Sequence, residues 1–176
     1  MVEAVIEAIR QNIMTDQHVV VLRETQGSRV VPIWITTETA NAIAAVLQGQ
    51  DVPRPLTHDL LRTVISEMGG TVSRVIVSDI KDRVFFALIE IEHDGRRIQI
   101  DSRSSDAIAL AVRAQEPIFL AEHVLEEAGI AVPTEPVAAP EEETGPAAEP
   151  IDNESLSVFR DFVNNLDLDE PQRDKD

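Results

Sequence analysis

Two segments of the chain decide its fold: PIWITTETANAIAAVLQGQ at 32–50 and RIQIDSRSSDAIALAVRAQ at 97–115. They align without gaps at an offset of 65 residues, which places 42–44 over 107–109. In both segments an alternating apolar strand runs directly into apolar residues at helical spacing. We interpret the pair as an internal duplication of a β-hairpin–helix unit, and convergent use of Ala and Ile in two helices is the alternative. Either way the pattern predicts an α+β fold, with helices packed on a mostly antiparallel sheet.

The rest of the first 130 residues shows the same two periodicities. Residues 4–9 and 18–22 are interpreted as strands or mixed apolar segments. Strands are predicted at 30–35, 71–78, 84–91, 96–101 and 117–120. Helices are predicted at 36–48, 57–68, 105–114 and 121–128. Thr57 is expected to cap the second helix, and Ser104 or Ser105 the third. The His-Asp-Gly sequence at 93–95 is typical of a tight hairpin turn.

Acidic charge divides the 176-residue chain into a domain and a tail. Residues 1–130 carry 19 acids and 12 bases, net −7, whereas residues 131–176 carry 13 acids and 3 bases, net −10. The stretch VPTEPVAAPEEETGPAAEP at 132–150 has five prolines and no apolar period, so it cannot bury enough surface to fold. We therefore predict a domain over 1–130 and a disordered acidic linker over 131–152.

Apolar residues return at helical spacing after the linker. They predict a short C-terminal helix over 153–170, followed by a disordered tail over 171–176. An isolated helix of this length is marginal in water, so we expect it to dock on the domain, on a second copy or on another protein. A frayed tail is the alternative.

Composition excludes several classes of protein. The absence of cysteine excludes disulfides, cysteine-ligated metals and a thiol nucleophile. The opening MVEAVIEAIR has two acids and no basic region, which predicts no secretory signal. The apolar run VVPIWI at 30–35 is far shorter than the ~20 residues of a membrane helix, so we expect a cytoplasmic protein that does not bind membranes. A net charge of −7 on the domain provides no broad field for nucleic acid, so any phosphate contact must be local, at Arg54, Arg103 or nearby, or bridged by a metal.

The first candidate site is IDSRSSDAIAL at 100–110, where the two copies differ. The first copy has Thr36, Glu38 and Asn41 where the second has Asp101, Arg103 and Asp106. A turn between strand and helix can bring the two aspartates together around a divalent cation, and the arginine can then meet a phosphate. The ordinary alternative is that the acid in the first helical turn complements the helix dipole.

The second candidate site is PRPLTHD at 53–59. Two prolines restrict the backbone around Arg54, which limits the entropy lost when its side chain binds an anion. His58 lies in the first turn of a predicted helix and can act as a general base, with Asp59 orienting it or binding metal. The alternative is a surface histidine followed by an acid that complements the helix dipole.

Several separate blocks, in order, resemble the bifunctional nuclease domain family. They are VVVLRETQGSRVVPIWI at 19–35, PRPLTHDLL at 53–61, RVIVSDIKDRVFFALIEI at 74–91, IDSRSSDAIALAVR at 100–113 and PIFLAEHVLEEAGI at 117–130. The resemblance covers about residues 1–130, with Ser104 where the family usually has proline. It implies a compact α+β domain, often dimeric, that cleaves both DNA and RNA.

Chemistry and resemblance together give one leading hypothesis, a nuclease that hydrolyses phosphodiester bonds of DNA and RNA with low sequence specificity. The side chains expected to act in catalysis are His58, Asp59, Asp101 and Asp106. The three aspartates would hold Mg²⁺ or Mn²⁺, the histidine would activate water, and Arg54 and Arg103 would hold the phosphate. This requires the two blocks to meet, within one subunit or across a homodimer or higher homo-oligomer. The alternative is a non-catalytic regulatory module whose acidic tail and C-terminal helix bind a protein partner.

Overall fold

A computed structural model describes residues 1–12, 17–50 and 52–132 of the chain. The strands in these ranges are β1 (Val2–Asn12), β2 (Gln17–Glu24), β3 (Arg29–Ile35), β4 (Gly70–Lys81), β5 (Val84–His93), β6 (Arg96–Arg103), β7 (Ile118–Leu120) and β8 (Ile130–Ala131). The helices are α1 (Thr37–Leu47), α2 (Thr57–Glu67), α3 (Ser104–Ala114) and α4 (Glu122–Ala128). Within the same ranges, no helix has the length and apolar character needed to cross a membrane. The predicted helix over 153–170 and tail over 171–176 lie outside the described residues, as does the predicted linker beyond residue 132.

All eight strands form one sheet in the order β6-β5-β4-β7-β1-β2-β3-β8. Neighbouring strands are antiparallel except β4 and β7, which are parallel because α3 crosses over between the β4–β6 meander and β7. The three-residue strand β7 is therefore a central strand, bonded to β4 on one side and to β1 on the other. The prediction of an α+β fold with a mostly antiparallel sheet is confirmed.

The two β-hairpin–helix units occur where the sequence places them. The first is β2–β3–α1 and the second is β5–β6–α3, and each hairpin is antiparallel. The turn of the second hairpin has positive φ at Asp94 and Gly95, 50° and 69°, which is the geometry that suits the twist of a two-residue hairpin. The origin of the two units by duplication stays a prediction.

Helix α3 forms the centre of the hydrophobic core. Residues 107–111 are all 0% exposed, because α1, α2, β4 and β5 cover this helix on several sides. Its Ala-Ile-Ala-Leu-Ala sequence alternates small and large side chains, which lets neighbouring elements approach closely. The core therefore fixes α3 rigidly, and with it the side chains of its first turn.

The helix starts differ from those predicted. The N-cap of α2 is Leu56, not Thr57, because the Asp59 carboxylate reaches back to accept the Leu56 N–H at 2.8 Å. The N-cap of α3 is Arg103, so this helix begins one residue earlier than predicted and Ser104 is a buried first-turn residue instead of a cap. A further strand that was not predicted, β8, includes Ala131 and pairs with β3.

Three apolar side chains of α2 and that of its C-cap residue Met68 remain in solvent. Their exposed fractions are 58% for Leu60, 39% for Leu61, 43% for Val64 and 72% for Met68. Periodicity predicts this helix correctly, but these four residues, called here the α2 stripe, do not pack on the core of their own chain. Ile65, one helical turn after Leu61 at the margin of this stripe, does pack against the core.

Candidate functional site

A groove of about 1090 Å³ opens where the N-terminal ends of α1, α2 and α3 converge. Its floor contains the apolar residues Ile89, Ile100 and Leu61. The polar lining includes Thr36, Glu38, Asn41, Thr57, His58, Asp101, Ser102, Arg103 and Asp106. The positions that differ between the two sequence copies thus line one groove, because each copy contributes its strand-to-helix junction.

The two sequence blocks meet in this groove through His58 and Asp106. The imidazole Nε2 lies 3.2 Å from the Asp106 Oδ1, although 48 residues separate the two in sequence. A carboxylate accepts hydrogen bonds, so we assign the ring proton of the neutral histidine to Nε2. His58 is buried, and its Nδ1 then keeps the lone pair. The histidine is oriented as a proton acceptor at Nδ1.

Arg103 completes the cluster from the other side of the carboxylate. Its Nε donates to the second Asp106 oxygen, Oδ2, at 2.6 Å. Within the described ranges its terminal amino groups have no hydrogen-bond partner, and its side chain is 74% exposed. Such a guanidinium, anchored at one edge and open at the other, can bind a phosphate oxygen. We call this group the His58–Asp106–Arg103 cluster.

Asp106 is held in its ionised form. Burial alone would raise the pKa of its carboxyl, but hydrogen bonds from Arg103 and His58 outweigh that effect and the pKa lies below its usual range. At neutral pH the carboxylate can therefore orient the imidazole and stabilise its protonated form.

Asp59 has other partners. Its Oδ1 accepts the Arg113 Nε at 2.6 Å, and its Oδ2 accepts the Leu56 N–H. It is not part of the groove lining, so Asp106 and not Asp59 orients the histidine. These contacts give Asp59 a structural role, and a role for it in catalysis or metal binding stays a prediction.

Sequence reasoning missed Arg113, which joins three helices. Its guanidinium, 2% exposed, donates to Asp59 on α2, to the Ala109 carbonyl on its own helix at 3.0 Å and to the Ala42 carbonyl on α1 at 3.1 Å. The sequence could have indicated this role, because Arg113 is the one charged residue in the apolar run AIALAVRA at 107–114. A charged side chain in a buried helix requires partners.

The other two predicted site residues make no hydrogen bond or ion pair with the cluster in the described part of the chain. Arg54 is exposed, does not line the groove and contacts no charged or polar side chain in the described part of the chain. Asp101 lines the groove and is exposed, and its carboxylate likewise has no partner there. Their roles in phosphate and metal binding stay predictions.

The donor groups do not form a ready metal cage. Across the described residues, no three His, Cys, Asp or Glu side chains are grouped closely enough to hold an ion. The charged groove-lining residues nevertheless comprise three carboxylates (Glu38, Asp101 and Asp106) and one guanidinium (Arg103), net −2 with His58 neutral. This net negative charge would repel an incoming phosphate. A cation that enters with the substrate would therefore improve binding of the phosphate.

Asp59 is predicted to stabilise the domain in a way that depends on pH. Burial raises the pKa of its carboxyl, but the Leu56 N–H and the Arg113 guanidinium outweigh that effect and the pKa is lowered in the folded state. A lowered folded-state pKa stabilises the fold above the unfolded value of about 4, and this contribution is lost as the pH falls through the folded value. Asp59→Asn should therefore reduce the free energy of unfolding at pH 7, and the difference from wild type should shrink by pH 3.

Urea unfolding of wild type and Asp59→Asn at both pH values measures this difference. Asp94→Asn is a suitable control, because the Asp94 side chain is 86% exposed. A difference that is the same at pH 7 and pH 3 would show that the charge of Asp59 does not contribute.

This geometry defines an α+β domain with a polar groove built around an oriented histidine. A family model described as "Bifunctional nuclease domain" matches residues 20–133. A relative from Mycobacterium tuberculosis strain H37Rv, itself named an uncharacterized protein, is 35% identical over 168 residues, 96% of each chain. The protein named "Bifunctional nuclease 1" of Oryza sativa subsp. japonica is 27% identical over 105 residues, 57% of this chain and 32% of the rice protein.

The chain belongs to the bifunctional nuclease domain family, a nuclease family. The matched region contains His58, Asp106 and Arg103, and so includes the whole cluster.

Proposed function

We propose that this protein is a hydrolase that cleaves phosphodiester bonds of both DNA and RNA, with the groove as its active site. The observation that carries the proposal is the His58–Asp106–Arg103 cluster. It combines an oriented base, an ionised partner and an open guanidinium in one concave site. These are groups that hydrolysis of a phosphodiester needs. Membership of a nuclease family supports the same conclusion.

The nucleophile on this proposal is water. DNA has no 2′-hydroxyl, so an enzyme that cleaves both nucleic acids cannot depend on the sugar to attack the phosphorus. His58 Nδ1 takes a proton from the water as its oxygen bonds to phosphorus. The bond from phosphorus to the leaving sugar oxygen breaks, and the protonated imidazole or solvent returns a proton to that oxygen. Asp106 stabilises the imidazolium formed in between.

Arg103 supplies the positive charge on the phosphate. Its free amino groups can hydrogen-bond the non-bridging oxygens, where negative charge accumulates as water adds. Contacts of this kind read the backbone and carry no sequence information, which favours low sequence specificity.

A divalent cation, Mg²⁺ or Mn²⁺, is part of the proposal. The net −2 charge of the groove lining supports it, with Asp101 and Asp106 as the residues that would hold the ion. A bound cation would neutralise the phosphate and lower the pKa of a coordinated water. Location in the cytoplasm remains part of the same proposal and is supported by the absence of cysteine from the sequence.

The second candidate is a non-catalytic regulatory module that binds a protein partner. The net negative charge of the groove lining favours this regulatory module, because negative charge opposes phosphate binding. The exposed α2 stripe also offers a surface for a partner.

Asp106→Asn separates the two candidates. An amide keeps the shape of the side chain but removes the charge that orients His58, so hydrolysis of single-stranded DNA and of RNA should both fall about 10- to 100-fold. Asp94→Asn changes the same residue type at an exposed hairpin turn and should keep wild-type activity. Initial rates on labelled oligonucleotides in Mg²⁺, Mn²⁺ or EDTA give the measurement.

Each outcome of this assay has a definite meaning. Parallel loss of both activities in Asp106→Asn, but not in Asp94→Asn, supports the nuclease and its groove. Loss of wild-type cleavage in EDTA would show in addition that the reaction requires a divalent cation. Equal cleavage by all three proteins would identify a contaminating enzyme, and no cleavage by folded wild type in any buffer would favour the regulatory module.

A further inference from the structure

The groove presents more apolar surface than a phosphodiester group needs. Among the residues that the structure describes, three large apolar side chains line the groove and remain partly exposed, Leu56 at 38%, Leu61 at 39% and Ile100 at 44%. We call these three residues the apolar wall. Single exposed apolar residues are common on protein surfaces, but several that converge in one concave site mark a place where an apolar group binds.

The apolar wall lies beside the His58–Asp106–Arg103 cluster. Leu61 follows His58 by three residues on α2, so the two side chains are neighbours on one helix face, with Cβ atoms about 5–6 Å apart. Ile100 precedes Arg103 by three residues on β6, which is about 10 Å along a strand. A phosphate held at the cluster therefore has apolar side chains next to it.

The wall across from these residues leaves space for a large group. On the α1 side the groove is lined by Ala42 and Ala45, whose short side chains keep it wide. Its volume of about 1090 Å³ is at the upper end of the ~300–1,000 Å³ that is usual for small-molecule sites. The groove thus has room for a complete nucleotide and not only for its phosphate.

We propose that the apolar wall binds an unpaired nucleobase next to the scissile phosphate, and that the substrate is therefore single-stranded nucleic acid. This inference rests on the proposed nuclease function and specifies the substrate class of the same groove. Enzymes that hold a base outside a stack pack its flat face against aromatic or apolar side chains. In a duplex each base is stacked on its neighbours, so that its faces are not available to such a wall.

The charge of the groove supports a contact with an uncharged part of the substrate. The lining carries a net charge of −2 with His58 neutral, so attraction of the phosphate by protein charges alone contributes little to affinity. A nucleobase is neutral, and its contact with apolar side chains does not depend on that charge. Every base has a π face, so the contact tolerates all sequences and agrees with the low sequence specificity proposed for the enzyme.

An abasic substrate tests whether the base is bound. The full chain is assayed on a single-stranded DNA that has one cleavable phosphodiester, all its other linkages being nuclease-resistant. The two nucleotides at this linkage either carry their bases or are abasic tetrahydrofuran analogues. For wild type we expect kcat/KM to be about tenfold lower on the abasic strand, within the range that one stacked base contributes. Annealing the base-containing strand to its complement should lower kcat/KM at least tenfold.

Variants of the apolar wall connect this difference to the groove. Leu61→Ser should lower kcat/KM about tenfold on the base-containing strand and leave it unchanged on the abasic strand. Leu60→Ser is the matched control, because Leu60 is the preceding residue of α2 and is 58% exposed but does not line the groove. Ile100→Thr repeats the test on β6 with Ile98→Thr as its control, since Ile98 is exposed to the same degree outside the groove. Circular dichroism shows that each variant folds.

The failure of this inference can be distinguished from the failure of the proposed function. If wild type cleaves both strands at equal rates, or cleaves the duplex as fast as the single strand, the nuclease stands and the base-binding wall is wrong. If Leu61→Ser and Ile100→Thr fold and behave as their controls do, the wall is equally wrong. If wild type cleaves nothing, the proposed function fails, and fluorescence anisotropy then decides whether bases are bound. Binding at least fivefold tighter to the base-containing strand, lost in Leu61→Ser, would support the wall, and equal binding of both strands would overturn it.

Discussion

Replacing His58 with alanine is expected to lower kcat on DNA and on RNA by about 10²- to 10⁴-fold, the usual contribution of a positioned general base. The imidazole is the groove-lining group oriented by a carboxylate, and its Nδ1 is the nitrogen left to accept a proton from water. KM should change much less, because Arg103 still binds the phosphate. Steady-state kinetics on a single-stranded DNA and an RNA of the same sequence measure both constants.

The size of the loss must be separated from an effect on folding. His123→Ala is a matched control, because this histidine is 56% exposed and lies outside the groove. Thermal unfolding of both variants shows whether either has lost its structure. If His58→Ala folds and retains full activity on both substrates, His58 is not the base and the proposed mechanism is wrong.

Replacing Arg113 with methionine is expected to reduce the free energy of unfolding by about 3 kcal/mol, the lower end of the cost of breaking a buried ion pair. The lower end applies because the Asp59 side chain keeps 28% of its surface in solvent. The change also leaves the carbonyls of Ala42 and Ala109 without the hydrogen bonds that Arg113 donates. Urea unfolding at pH 7 measures the loss.

A double variant shows whether the unpaired acid causes this loss. Arg113→Met combined with Asp59→Leu removes both charges, so it should be more stable than Arg113→Met alone. Arg10→Met is the control, since Arg10 is exposed and has no side-chain partner in the described ranges. A cost below about 1 kcal/mol for Arg113→Met would mean that the three helices are held by apolar packing alone.

Local sequence was sufficient for most elements of the fold. Alternation predicted the strands, and glycines ended helices as expected, with Gly49 at φ 62° after α1. Helix starts were less predictable, because the Asp59 side chain caps the Leu56 N–H from inside the helix while Thr57 does not cap at all. Which of several polar residues caps a helix depends on rotamers that the sequence does not specify.

The site was predictable in its residues but not in its partnerships. Sequence placed His58 beside Asp59, whereas the fold pairs the histidine with Asp106 and the aspartate with Arg113. These pairs span 48 and 54 residues, so they depend on how α2 packs on α3 and not on local spacing. Likewise the period of α2 identifies a helix with an apolar side, but it cannot show whether that side is covered by the same chain.

The position of β7 has a consequence for how the molecule is made. Residues 118–120 connect the β4–β6 half of the sheet to the β1–β3 half, so neither half can join the other until the ribosome has delivered this late segment. Val2 is synthesised long before Leu120, and the two can pair only after the later segment has been made. Such distant pairing slows folding, and the unfinished halves expose strand edges meanwhile. During synthesis, the nascent chain therefore relies on its two hairpins to hold local structure until the central strand arrives.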